Sequence, residues 1–142
     1  MAKLLMMEDD VVFSFRLKNM LKSAGHQVEV RSSATDAIEE LLNESYDVLI
    51  SDVIIREDGK LVPDGGIKLV SWVRNHEEMK TLPIIVITGS HKYQGMQHIL
   101  TTARQIGANA GLEKPFDDDE ILSLISRLSE TTANALHKNA LR

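Results

Sequence analysis

The sequence predicts an α/β fold: one five-stranded parallel sheet with helices on both faces. Two observations carry this. Five short apolar runs recur along the 142 residues, and amphipathic helical stripes lie between them. The third and fourth runs, Asp47–Ser51 and Pro83–Thr88, are continuous and rich in Ile and Val, as strands covered on both faces are. Strand–helix alternation of this kind leads to parallel strands joined by right-handed crossovers.

The elements follow in order. The first run, Lys3–Met7, ends at three acids, Glu8, Asp9 and Asp10. Phe13, Leu17, Met20, Leu21 and Ala24 then form one helical stripe, closed by Gly25. Gln27–Val30 is the second strand. Ser33 and Asp36 open a second helix with Ala37, Ile38, Leu41 and Leu42 as its inner face. Asp47–Ser51 is the third strand, and Ile67, Leu69, Val70, Trp72 and Val73 mark the third helix. After Pro83–Thr88, the fourth helix carries Met96, Ile99, Leu100, Ala103 and Ile106 and stops at Gly107. Ala110–Glu113 is weak by itself and reads as a strand from its place in the series. Asp117 caps a fifth helix with the stripe Ile121, Leu124, Ile125 and Leu128. Residues 1–128 make the domain. Residues 129–142 are read as a helical extension or flexible tail, with no room for an output domain.

Hydrophobic residues make up 43% and charged residues 26%, a globular balance with material for one core. The net charge of −5 argues against nucleic acid or an anionic membrane as the main partner. The chain holds no cysteine, so disulfides, thiolate nucleophiles and Cys-ligated metals are excluded. No leader pattern and no membrane-length apolar run is present, so a cytoplasmic protein is expected.

Ligands of open α/β sheets bind beyond the carboxyl ends of the strands. Those ends carry Glu8, Asp9 and Asp10, then Asp52, then Thr88, then Lys114 with Pro115 behind it. Clustered carboxylates raise one another's pKa and resist desolvation, so a hard divalent cation such as Mg²⁺ is the natural counter-charge. A cation, a hydroxyl and an ammonium together suit phosphoryl transfer, with one carboxylate as nucleophile. The plainer readings are acids favouring a helix N-terminus, which weighs as much as the metal for Asp10. Thr88 is also an ordinary strand residue. The five histidines show no ligand spacing and read as surface or loop residues.

The stretches LLMMEDD, YDVLISD, PIIVITG and GANAGLEKPF resemble the receiver domain of two-component response regulators over roughly residues 3–128. The resemblance implies a flavodoxin-like sheet with strand order 2-1-3-4-5. It implies that Asp52 is the phosphoacceptor, charged by a sensor histidine kinase or a histidine phosphotransfer protein. It implies that Glu8, Asp9, Asp52 and the backbone carbonyl of Ile54 hold Mg²⁺. Thr88 and Lys114 would contact phosphoryl oxygens, and the Lys114–Pro115 bond is a candidate cis peptide. The implied function is a phosphorylation-dependent switch that alters contacts with a downstream protein. It phosphorylates and dephosphorylates only itself and is not otherwise an enzyme. Oligomeric state stays open, since receivers often dimerise through the fourth or fifth helix.

Four departures stand out. The Val53–Asp64 stretch is several residues longer than usual, with Asp58-Gly59 and Asp64-Gly65 as separate turn signals. Gly111 stands where receivers usually carry a switching aromatic. The stretch after Thr88 is also long, and Tyr93 in it is a candidate substitute. Ile54 and Ser90 occupy the positions that tune water attack on the acyl phosphate. Val11, Val12 and Phe15 fall off the inner stripe of the first helix, an apolar patch suited to docking a partner. Two rivals stay beside the main reading. One is a degenerate receiver acting as a constitutive binding module, favoured by Gly111. The other is a Mg²⁺-dependent aspartyl phosphotransferase or phosphohydrolase, for which Asp58 is the close candidate acid. The apolar Ile54 predicts a phosphorylated form that lasts longer than minutes, checked by following loss of label without any phosphatase.

Overall fold

The computed structural model describes residues 1–53, 55–57, 60–62, 65–89 and 99–140; of 55–57, 60–62, 99 and 131–140 it describes the backbone alone. Five parallel strands form the sheet: β1 (Lys3–Met7), β2 (Gln27–Arg31), β3 (Val48–Asp52), β6 (Ile84–Thr88) and β7 (Ala110–Glu113). Their order is β2-β1-β3-β6-β7. This is the 2-1-3-4-5 arrangement, and each predicted strand lies within a residue of its place. The helices are α1 (Val11–Ser23), α2 (Ala34–Asn43), α3 (Gly66–Asn75), α4 (Ile99–Gln105) and α5 (Asp118–Ala140). Residues 129–140 therefore continue α5. Among the described residues, no helix is long and apolar enough to cross a membrane.

Strand periodicity sorts the core into two layers. Leu5, Met7, Leu49, Ile84 and Val86 face α2, α3 and α4, packing with Ala37, Leu41, Leu69, Val70, Val73 and Ala103. Leu4, Met6, Val48, Ile50, Ile85 and Ile87 face α1 and α5, packing with Leu17, Leu21, Ile121 and Ile125. Strands buried on both sides can carry no polar alternation, which is why β3 and β6 read as unbroken apolar runs.

Three expectations need correction. Leu42, placed on the inner face of α2, is 58% exposed. The buried stripe there is Ala34, Ala37 and Leu41, and Leu42 lies a further 100° around the helix. Ala24 is likewise exposed, because it is the C-cap of α1, donating its backbone N–H to Met20 O. Gly25 follows with φ +98, the left-handed conformation that glycine adopts without steric penalty. The long stretch after β3, read as a loop, forms a two-stranded antiparallel hairpin of β4 (Ile55–Glu57) and β5 (Lys60–Val62). Asp58-Gly59, the two residues between these strands, is the dipeptide most typical of such a connection. Ile54, Asp58, Gly59, Asp64, Ser90, Tyr93 and Met96, all singled out above, lie outside the described residues, as do two of the five histidines, His91 and His98.

α3 starts hard against the end of β3. The Gly66 N–H bonds to Val53 O at 3.2 Å, and a Cβ at Gly66 would lie 2.2 Å from Asp52 O and 2.7 Å from Val53 Cα. Only a residue without Cβ permits this approach. Gly66→Ala should therefore lower the free energy of unfolding by about 3 kcal/mol. Gly89→Ala, whose Cβ would meet, among the described residues, only Lys114 Cδ at 4.0 Å, should change it by less than about 0.5 kcal/mol. Urea titration of both variants checks the pair, and equal losses would contradict it.

Candidate functional site

Register brings the chemistry-bearing residues to one edge. Met7 pairs with Ser51, Asp52 with Ile87 and Thr88 with Glu113, so Glu8, Asp52, Thr88 and Lys114 all end their strands together. The edge lies where β1 and β3 adjoin and the chain reverses its direction of winding, the switch point of the sheet. The backbone continues the ladder there: Glu8 N–H bonds to Arg31 O at 2.9 Å, Val53 N–H to Ile87 O at 3.0 Å and Lys114 N–H to Thr88 O at 2.7 Å.

Glu8, Asp52 and Thr88 are buried and Asp9 is half-buried. Glu8, Asp9 and Asp52 each offer a carboxylate oxygen within 4.8 Å of the others. Lys114 reaches over them, its Nζ 3.0 Å from Glu8 Oε2 and 3.5 Å from Asp52 Oδ2. Burial, and then the neighbouring Asp52, push the Glu8 carboxyl up to about 8, and Lys114 offsets only part of this. Burial pulls the Lys114 ammonium down, but Asp52 and Glu8 outweigh it and hold its pKa above the ordinary lysine value. Among the described residues, Lys114 is the ammonium set against this cluster, paired with Glu8 and Asp52. An oxygen-only donor set with two buried members matches a hard divalent cation.

The structure separates Asp10 from this group. Its side chain accepts the Phe13 N–H at 3.0 Å and caps α1, while its own N–H bonds to Glu8 Oε1 at 3.1 Å. The Lys114–Pro115 peptide is cis. Two residues at this edge were not legible as site neighbours. Phe13 lies under the Lys114 ammonium, 4.1 Å from ring centroid to Nζ, and Phe116 meets Phe13 edge-on with centroids 6.0 Å apart. Phe13 had the helical spacing of a core residue, so periodicity gave no hint of this contact. Val11, Val12 and Phe15 are 78%, 70% and 65% exposed, as their positions off the stripe predict.

At Gly111, an added Cβ would lie 3.1 Å from Leu100 Cδ2 and 3.5 Å from Val86 Cγ2. Leu100 of α4 covers the point from which an aromatic would project.

A family model for the response regulator receiver domain matches residues 4–126. The chain is 29% identical over 125 residues to the transcriptional regulatory protein GltR of Pseudomonas aeruginosa, covering 88% of this chain and 48% of that protein. It is 29% identical over 126 residues to the transcriptional regulatory protein PhoP of Escherichia coli, covering 89% and 51%. The chain thus spans about half the length of the curated relatives it matches. Among solved structures, a response regulator of Chloroflexus aurantiacus superposes with a TM-score of 0.78 at 29% identity, covering 91% of this chain and 98% of that one. The chain belongs to the family of response regulator receiver domains, the phosphorylation-dependent switches of two-component signalling.

Proposed function

We propose that Asp52 is the phosphoacceptor of this receiver and that a phosphohistidine on a sensor kinase or phosphotransfer protein is its donor. One observation carries the reading. Asp52 ends β3 with Lys114 Nζ 3.5 Å from its Oδ2, and with Glu8 and Asp9 oxygens within 4.8 Å. An Asp52 carboxylate oxygen attacks phosphorus, the P–O bond forms and the P–N bond breaks. The departing electron pair stays on the imidazole nitrogen, which takes up a proton. Lys114 supplies positive charge to a phosphoryl oxygen, and the Thr88 hydroxyl donates to another. Asp52 is only 5% exposed, so solvent meets the acyl phosphate over a narrow front.

Glu8, Asp9 and Asp52 would hold Mg²⁺, with the Ile54 carbonyl as a further ligand. When bound, the ion supplies the positive charge that the phosphoryl oxygens and the clustered acids lack. Burial and Asp52 raise the Glu8 pKa, so its service as a ligand would be coupled to loss of a proton.

The exposed apolar patch of α1 supports docking of the phosphodonor beside the site. Val11, Val12 and Phe15 adjoin a groove lined by Phe13, Arg16, Met20 and Phe116. A second reading, a binding module with an intact site and a silent switch, draws on Gly111. A phosphorylated form whose α4–β7–α5 surface matches the unmodified one would favour it.

With acetyl phosphate and Mg²⁺, intact-mass measurement should find one added phosphoryl group on the wild type. Asp52→Asn should gain none, and chelation should prevent the gain on the wild type. Label on Asp52→Asn would move the acceptor elsewhere. For the metal, Mg²⁺ at ten times its Kd should raise the wild-type melting temperature by about 3–6 °C. Asp9→Asn removes one of the opposed charges. Under chelation it should melt above the wild type, and it should lose most of the Mg²⁺ response. A Mg²⁺ response equal to the wild type's would take Asp9 out of the ligand set.

A further inference from the structure

Among the described residues, Lys114 is held by three groups: Glu8 at 3.0 Å, Asp52 at 3.5 Å and the face of Phe13 at 4.1 Å. We propose that Phe13 is a positioning residue that aims the Lys114 ammonium at the Asp52 carboxylate. The inference rests on Asp52 being the phosphoacceptor and goes beyond it to say what keeps the lysine in register.

A lysine has a flexible four-carbon stem, and charge attraction alone does not direct it. That attraction is also shared between two acids, Glu8 at 3.0 Å and Asp52 at 3.5 Å. Both carboxylates also change during the reaction. Glu8 would be a metal ligand, and Asp52 would become an acyl phosphate. The aromatic face is the one of the three contacts whose charge stays constant. It attracts a cation through its quadrupole and blocks the side on which the stem would otherwise swing outward.

The ring is itself held in place. It sits one turn into α1, and its own backbone N–H is taken by the Asp10 cap. On its far side Phe116 packs against it at an interplanar angle of 77°, the favoured edge-to-face geometry. Phe116 follows Lys114 by two residues, so one short segment presents both the cation and the ring that braces the cation's platform. An aliphatic residue in place of Phe13 keeps the volume and loses the quadrupole, which separates positioning from packing.

The test uses Phe13→Leu and Phe13→Tyr in the full chain. The first readout needs no phosphorylation. In the unmodified wild type, ring current from Phe13 shifts the Lys114 ε-methylene protons upfield in a proton–carbon NMR spectrum. Phe13→Leu should abolish that displacement and Phe13→Tyr should keep it. The second readout is the phosphorylation rate with acetyl phosphate and Mg²⁺. Phe13→Leu should slow it roughly three- to tenfold, the range open to a partly desolvated cation–π contact. Phe13→Tyr should restore it. In a Lys114→Met background Phe13→Leu should cause no further slowing, and its Mg²⁺-induced melting shift should equal that of the wild type. A wild-type rate in Phe13→Leu, or an equal slowing with Lys114→Met, overturns the proposal, as does an unshifted Lys114 resonance in the wild type. A wild type that takes up no phosphoryl group fails the phosphoacceptor reading instead, and the NMR arm then decides the placement of Lys114 alone.

Discussion

Three carboxylates gathered where an apolar sheet ends set the terms for everything at this edge of the protein. At an effective dielectric near 20, two charges within 4.8 Å repel by roughly 3 kcal/mol. A domain of this size has a total stability of only about 5–15 kcal/mol. The cluster is therefore tolerated only with counter-charge. Lys114 supplies part of it, with its ammonium 3.0 Å from Glu8 and 3.5 Å from Asp52, and burial raises the Glu8 pKa. A cation held by Glu8, Asp9 and Asp52 would supply more. The same electrostatic deficit that costs stability makes the edge responsive to an incoming phosphoryl group, whose own charge reopens it.

The fold meets this constraint by burying everything beneath the site. Leu4, Leu5, Met6 and Met7 are wholly inaccessible, so β1 delivers Glu8 and Asp9 from a strand fixed on both faces. β3 and β6 are equally enclosed, and their register pairs Asp52 with Ile87, one residue before Thr88. Gly66 lets α3 begin directly against the Asp52–Val53 backbone, closing the floor of the site. Precision at the strand ends thus comes from packing far from solvent, while the surface patch on α1 stays free for recognition.

Much of this was legible because the signals were redundant. Parallel strands buried on both sides declare themselves as unbroken Ile and Val runs, and their C-terminal neighbours must then share an edge. The acids, Thr88 and Lys114 follow from that alone. What escaped depended on direction or pairing, which periodicity does not encode. Leu42 fits a stripe by composition, yet one residue's rotation carries it to solvent. For Asp10 the helix N-terminus weighed as much as a metal, and its bond to the Phe13 N–H decides for the cap. The β4–β5 hairpin rests on a single local pairing of two short strands, which is a weak signal against a loop. Phe13 satisfied the core pattern fully and so hid its contact with Lys114.

The departure at Gly111 bears on how a phosphorylation signal leaves the site. Thr88 O accepts the Lys114 N–H, so β6 and β7 are tied at the edge and move together there. Beyond that point β7 has no side chain at Gly111 to rotate, and Leu100 of α4 packs onto the space. The far end of α4 is anchored: Arg74 Nε donates to Gly107 O at 2.9 Å, and its NH₂ groups reach Asn109 Oδ1, Lys80 O and Leu82 O. That clamp binds α3, the turn before β6 and the turn before β7 into one block. A displacement starting at Thr88 therefore cannot be absorbed at the Gly107 end without breaking several bonds to one guanidinium. Nearer the site, α4 meets β7 by packing of Leu100 against Gly111, so this α4–β7 contact stands where a strand aromatic would otherwise project.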